Sequence, residues 1–134
     1  MNSPQLNKWE ELFLDFLDMT EFYLQRRVDD NEMDCYGLVD GQKANIGDIE
    51  FDFFYSATDI LDRMETYEYD YIIRDLEECA QWENIKLQYT SWADLLKYKD
   101  KMPNNQGNFA FIDMICNHSQ DIDIKKVYNY ISAA

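Results

Sequence analysis

Hydrophobic positions recur with a helical period at the start of the chain. From about Pro4 to Arg27, the residues Trp9, Leu12, Phe13, Phe16, Tyr23 and Leu24 stand three and four positions apart, the spacing that lines one side of an α-helix. Ser3 as N-cap with Pro4 at the first helical position supplies a start signal. On a wheel of about 100° per residue, Glu10, Glu11, Asp15, Asp18 and Glu21 gather on the opposite side. Leu14 and Phe22 interrupt that acidic sector.

The period then changes. Residues 29–34 read as an acidic loop, followed by Cys35-Tyr36-Gly37-Leu38-Val39, a turn at Asp40-Gly41, and a second strand from Ile46 to Phe54. In that strand Ile49, Phe51 and Phe53 alternate with Asp48, Glu50 and Asp52, the pattern of a sheet with one buried face and one solvated, acidic face. Ser56, with Asp59 three residues on, starts a helical run through Trp82 that breaks near Tyr67. Its apolar side carries Ile60, Leu61, Met64, Tyr71, Ile72, Leu76 and Cys79. Beyond Trp82, Ile85, Leu87 and Tyr89 alternate as a short strand, and Ser91 to Lys101 reads as a helix. A loop at Met102–Asn108, rich in Asn with Pro103 and Gly107, separates it from helices at Phe109–Asn117 and Ile122–Ile131.

These elements predict an α+β fold: a mostly helical single domain of 134 residues with a small antiparallel hairpin or sheet at about 34–54, between an N-terminal helix and several C-terminal helices. The apolar share of 46 %, with aromatics at 16 %, supports a packed core despite a net charge of −15. The first twelve residues lack a basic stretch followed by a continuous apolar one, and no segment approaches roughly 18 uninterrupted apolar residues. We expect a cytoplasmic protein that meets no membrane. Three cysteines at wide spacing, Cys35, Cys79 and Cys116, argue for reduced thiols rather than a disulfide framework.

Candidate chemistry is sparse. The one histidine, His118, follows Cys116 by two residues, and a nucleophile pair would need an orienting third group, so a structural role is the simpler expectation. No Cys-x-x-Cys unit anchors a zinc site on Cys35, Cys79, Cys116 and His118. Asp48-x-Glu50-x-Asp52 opens like a calcium loop, but Phe53 stands where the turn requires glycine. The glycines match no phosphate-binding motif. We therefore expect no catalytic residue, metal or cofactor. Twelve bases against 27 acids also argue against direct nucleic-acid binding. Lys97, Lys99, Lys101, Lys125 and Lys126 form the one basic cluster, a solvated face or a surface that closes on the acidic half of this chain or of a second copy, the latter making a homodimer.

Charge changes the picture most. Residues 1–83 hold 22 acids and 6 bases, residues 84–134 hold 5 and 6. Two i,i+4 pairs, Asp59 with Arg63 and Asp70 with Arg74, account for a few of the front-half charges. Elsewhere, acids mingle with tyrosines in the run from Glu65 to Tyr71. Tyrosine beside charge is the composition of a protein–protein contact surface, where the aromatic supplies affinity and the acids supply rate and selectivity. The residues expected to carry such a contact are Asp29, Asp30, Glu32, Asp34, Asp48, Glu50, Asp52, Glu65, Tyr67, Glu68, Tyr69 and Asp70.

In size, charge and this Asp/Glu/Tyr-rich region from Asp29 to Glu83, the chain resembles the small, acidic, largely helical inhibitors carried by phages and mobile elements, anti-CRISPR and anti-restriction proteins among them. The resemblance implies a non-enzymatic protein that occupies the basic DNA- or guide-loading groove of a nuclease. Two other expectations compete with it: an immunity or antitoxin-like partner of a basic toxin, and a small enzyme using Cys116, His118 or a carboxylate pair.

Overall fold

The computed structural model of the chain describes residues 5–26, 32–39, 41–50, 56–64 and 66–133. Helix α1 (Lys8–Met19) starts at a capping box: Asn7 Oδ1 accepts the Glu10 N–H at 2.8 Å, and the Glu10 carboxylate accepts the Asn7 N–H at 2.8 Å. The expected cap at Ser3 and Pro4 lies outside the described residues. The helix stops at Met19, well short of Arg27. Glu21 takes a left-handed φ of 57°, its N–H bonds to Asp18 C=O at 3.1 Å, and the Phe22 N–H bonds to Leu17 C=O at 2.9 Å. This pair of bonds is a Schellman terminus, here closed by glutamate in the position glycine usually fills. Phe22 and Leu17 are both buried in the core, so Phe22 is no interruption of an acidic face.

Tyr23 and Leu24, which continue the helical spacing in the sequence, belong instead to a strand. The sheet has three antiparallel strands, β1 (Tyr23–Arg26), β2 (Glu32–Val39) and β3 (Gln42–Glu50), in that spatial order. Residues 32–34 are thus strand, not loop. Val39 pairs with Gln42 across the turn, where Gly41 takes a φ of 79° that favours glycine. Between Cys35 and Tyr36 the register shifts by one residue, a β-bulge. Leu24, Met33 and Cys35 are buried on the inner face. The alternation expected at 51–54 lies outside the described residues.

Helix α2 (Ala57–Arg63) starts as its sequence announces, with Ser56 and Asp59 capping each other reciprocally. Asp59 serves that cap, and the Arg63 guanidinium lies against β3, where a Cβ at Gly47 would come within 3.2 Å of its Nη1. The chain is extended at Met64, and α3 runs from Thr66 to Trp82. The Tyr69 hydroxyl donates to Leu61 C=O and ties α3 back to α2. A second Schellman terminus, with Asn84 at φ 57° and Ile85 N–H bonded to Ala80 C=O at 2.8 Å, ends α3.

Ile85, Leu87 and Tyr89 do alternate, packing on the core while Lys86 and Gln88 stay exposed, but they form no strand. The Tyr98 hydroxyl accepts the Gln88 N–H at 2.8 Å where a neighbouring strand would otherwise do so. Residues Trp92–Lys101 form a 3₁₀ helix, which the Asp94 carboxylate anchors by accepting from the Thr90 N–H and hydroxyl at 3.0 and 2.9 Å. Helix α4 (Gln106–Asn117) begins inside the expected loop, and α5 spans Ile124–Ala133. α1, α3 and the 3₁₀ helix all pack on α4, whose Phe109, Ile112 and Met114 are buried. The result is a mostly helical α+β fold around one apolar core.

Candidate functional site: an acidic and aromatic surface

The sheet register sets acid against acid. Glu32 stands opposite Glu50, and Asp34 opposite Asp48. Directly opposed residues share one face of a sheet, and like charges placed so are destabilising. The same register puts Met33 opposite Ile49 and Cys35 opposite Gly47, which aligns the inner face. Burial therefore explains the register. It does not explain why acids stand opposite acids at the alternate positions of this ladder. Lys43, on the same strand pair, donates to Gln25 Oε1 at 2.9 Å and lies over the rings of Tyr36 and Tyr23.

The residues expected to bind a partner divide into groups. Asp29, Asp30, Asp52 and Glu65 lie outside the described residues, and at Glu32, Asp48, Glu50 and Tyr67 the backbone is described. Two expectations need correction. Asp34 is only 6 % exposed and accepts the Tyr36 hydroxyl at 3.0 Å, while Glu68 is fully buried. Because α3 starts at Thr66, positions 68, 72 and 76 fall on one helix face, and that face carries Ile72 and Leu76 into the core. Tyr69 is half-buried, stacked on Phe16 and perpendicular to Trp92. Asp70 is half-buried beside it. The expected Asp70–Arg74 pair does not form: among the described residues Asp70 has no ion-pair or hydrogen-bond partner.

The structure adds residues that the sequence reading passed over. Tyr71, expected on the apolar side of α3, is 45 % exposed, and Trp82 is 83 % exposed. Eleven residues apart, they sit about 20° from each other on the helix wheel, with exposed Asp75 and Glu78 between them. Asp75 accepts from Asn108 Nδ2 at 2.7 Å. Tyrosine and tryptophan bracketing two acids make a stripe of the hot-spot type. A wheel drawn on Ile72 and Leu76 would have found it. On α1 the expected acidic side is exposed at Glu11, Asp15 and Asp18, a second stripe at steps of four and three, whereas Glu10 is buried.

Cys79, Cys116 and His118 all stand beside carboxylates. Burial and the charge of Asp113 hold the Cys116 thiol above its ordinary pKa, and burial with Asp75 does the same at Cys79. Activation requires the opposite shift. The His118 ring stacks on Trp9 at 3.8 Å between centroids. Its Nδ1 meets Asp121 Oδ2 at 2.8 Å, and its Nε2 faces Asp113 Oδ2 at 3.6 Å. Each carboxylate addresses a different ring nitrogen, so the three groups do not converge on one point, and no metal-ligating cluster occurs among the described residues. No described helix is long and apolar enough to cross a membrane.

No protein-family model, curated protein or solved structure matches this chain.

Proposed function

We propose that this protein is a non-enzymatic inhibitor that occupies the basic nucleic-acid groove of a nuclease, a CRISPR effector first among them, by acidic competition. The observation that carries this reading is the opposition of Glu32 to Glu50 in the β2–β3 ladder, with Asp48 two residues before Glu50 on the same strand. A row of like charges that weakens the free fold is strengthened when a basic surface neutralises it. The Tyr71–Trp82 stripe supports the reading, because it supplies apolar contact area beside exposed acids.

The test is capture of nucleases by the immobilised protein at low and high salt, followed by competition between the protein and nucleic acid for the captured enzyme. Inhibition that nucleic acid relieves, that weakens steeply with salt, and that charge reversal at Asp48 and Glu50 abolishes is the expected result. Binding that survives both high salt and those substitutions would exclude an electrostatic competitor.

A further inference from the structure

We propose that a cleft beside α3 is a receptor for one arginine side chain of the basic partner, an inference that rests on the reading of the acidic surface given above. The cleft has a volume of about 470 Å³: Tyr69, Asp70 and Ile73 come from α3, Tyr89 from the extended segment, Trp92 from the 3₁₀ helix and Ile115 from α4, and Met64 at the end of α2 lines it as well.

Three features define the occupant. First, the walls are aromatic. Tyr69 and Trp92 meet at 89° with centroids 5.0 Å apart, forming a corner, and Tyr89 adds a third ring. Ring faces attract cations, and guanidinium groups most often. Second, both tyrosines are fixed before any ligand arrives. The Tyr69 hydroxyl is held by Leu61 C=O, and the Tyr89 hydroxyl donates to Glu77 Oε1 at 3.0 Å. Rings locked in place lose little freedom on binding. Third, a carboxylate lines the cleft: Asp70, half-buried and without an ion-pair or hydrogen-bond partner among the described residues.

Burial, then the charges of Asp62 and Glu68, push the Tyr69 hydroxyl far above its ordinary pKa, so it stays a neutral hydrogen-bond donor to Leu61 C=O. A purely apolar ligand would cover Asp70 without satisfying it, at the cost of a desolvated charge. A planar guanidinium can lie on a ring face while its N–H groups reach the carboxylate, which a compact ammonium does less well.

The experiment titrates N-acetyl-arginine-N-methylamide into the ¹⁵N-labelled full chain and follows the indole N–H signals of Trp9, Trp82 and Trp92. The citrulline analogue, uncharged and of the same shape, is the control ligand. A saturable shift confined to Trp92 is expected, weaker by about fivefold or more for citrulline and for the Asp70→Asn variant. Spectral dispersion of that variant checks that it is folded. Equal binding of the two ligands, a shift shared with exposed Trp82, or no saturable shift would each overturn the proposal. Arginine binding at Trp92 in a protein that inhibits no nuclease would leave the cleft standing and sink the inhibitor reading. Nuclease inhibition without arginine binding would do the reverse.

Discussion

Glu50→Lys turns an acid-against-acid pair into an acid-against-base pair. Glu50 stands opposite Glu32 in the β2–β3 ladder, and opposed Cβ atoms lie about 4.5–5.5 Å apart. Two unit charges at roughly 6 Å in water interact by about 0.7 kcal/mol. The replacement exchanges that repulsion for a comparable attraction, a gain of about 1 kcal/mol once physiological salt screens part of it. Asp48→Asn relieves the neighbouring pair, and because Asp34 is only 6 % exposed the effective dielectric there is lower and the relief is at least as large. Urea unfolding of the wild type, both single variants and the double variant would be measured at about 10 mM and 1 M salt, where the screening length is about 30 and 3 Å. At low salt each variant should unfold about 0.5 M urea later for a slope near 2 kcal/mol per molar. At high salt the curves should converge. Variants no more stable than wild type at low salt, or a gain that persists at 1 M, would refute like-charge strain in the sheet. The same variants should bind a basic partner more weakly, so that stability and binding move in opposite directions.

Glu10 is 1 % exposed and joins two helix starts, accepting the Asn7 and Asp123 N–H groups and pairing with Lys126 Nζ at 2.7 Å. Glu10→Gln should cost about 2–3 kcal/mol and lower the melting temperature by about 10 °C. Burial opposes ionisation of Glu10, but Lys126 and the two N–H groups outweigh it and hold the carboxyl below its ordinary 4.5. A lowered folded-state value gives stability above the unfolded one, so acid titration of the melting temperature should show wild type losing its advantage over Glu10→Gln as pH falls below 4.5. Glu21→Gly, at the left-handed end of α1, should stabilise by about 0.5–1 kcal/mol in chemical unfolding, and Asn84→Gly by less, because asparagine tolerates that conformation better.

What the sequence made legible was local. The start of α2 was readable because Ser56 and Asp59 are themselves the cap. The end of α1 was not, because its left-handed residue is Glu21, which carries no glycine signal. Alternation at Ile85, Leu87 and Tyr89 reported burial correctly, but a strand also needs a neighbour, and here a single tyrosine hydroxyl stands in for one. The pairing of acid with acid across β2 and β3 depended on an event no spacing rule shows. Continued from the Val39–Gln42 turn without the bulge, the register would set Glu32 against Ile49 and Asp34 against Gly47. One extra residue restores apolar against apolar, and acid against acid follows from it. Glu68 failed for a related reason: helix phase, fixed by the break at Met64, decides which acids face inward.

Net charge alone does not separate solubility from recognition, but the partners of each acid do. Glu10, Asp59 and Asp94 accept backbone N–H groups at helix starts, and Asp113 and Asp121 face His118. Those acids lower the energy of the folded chain. Glu11, Asp15, Asp18 and Glu78 are exposed, with no ion pair or hydrogen bond from their side chains among the described residues, and Glu32 stands opposite Glu50 in the β2–β3 ladder. If such acids served solubility alone, they would be interchangeable, and neutralising any of them would act in proportion to charge removed. A binding surface predicts dependence on position instead: acids beside Trp82 and on the sheet matter to the partner, whereas equal charge removed from α1 changes mainly the long-range field and the association rate.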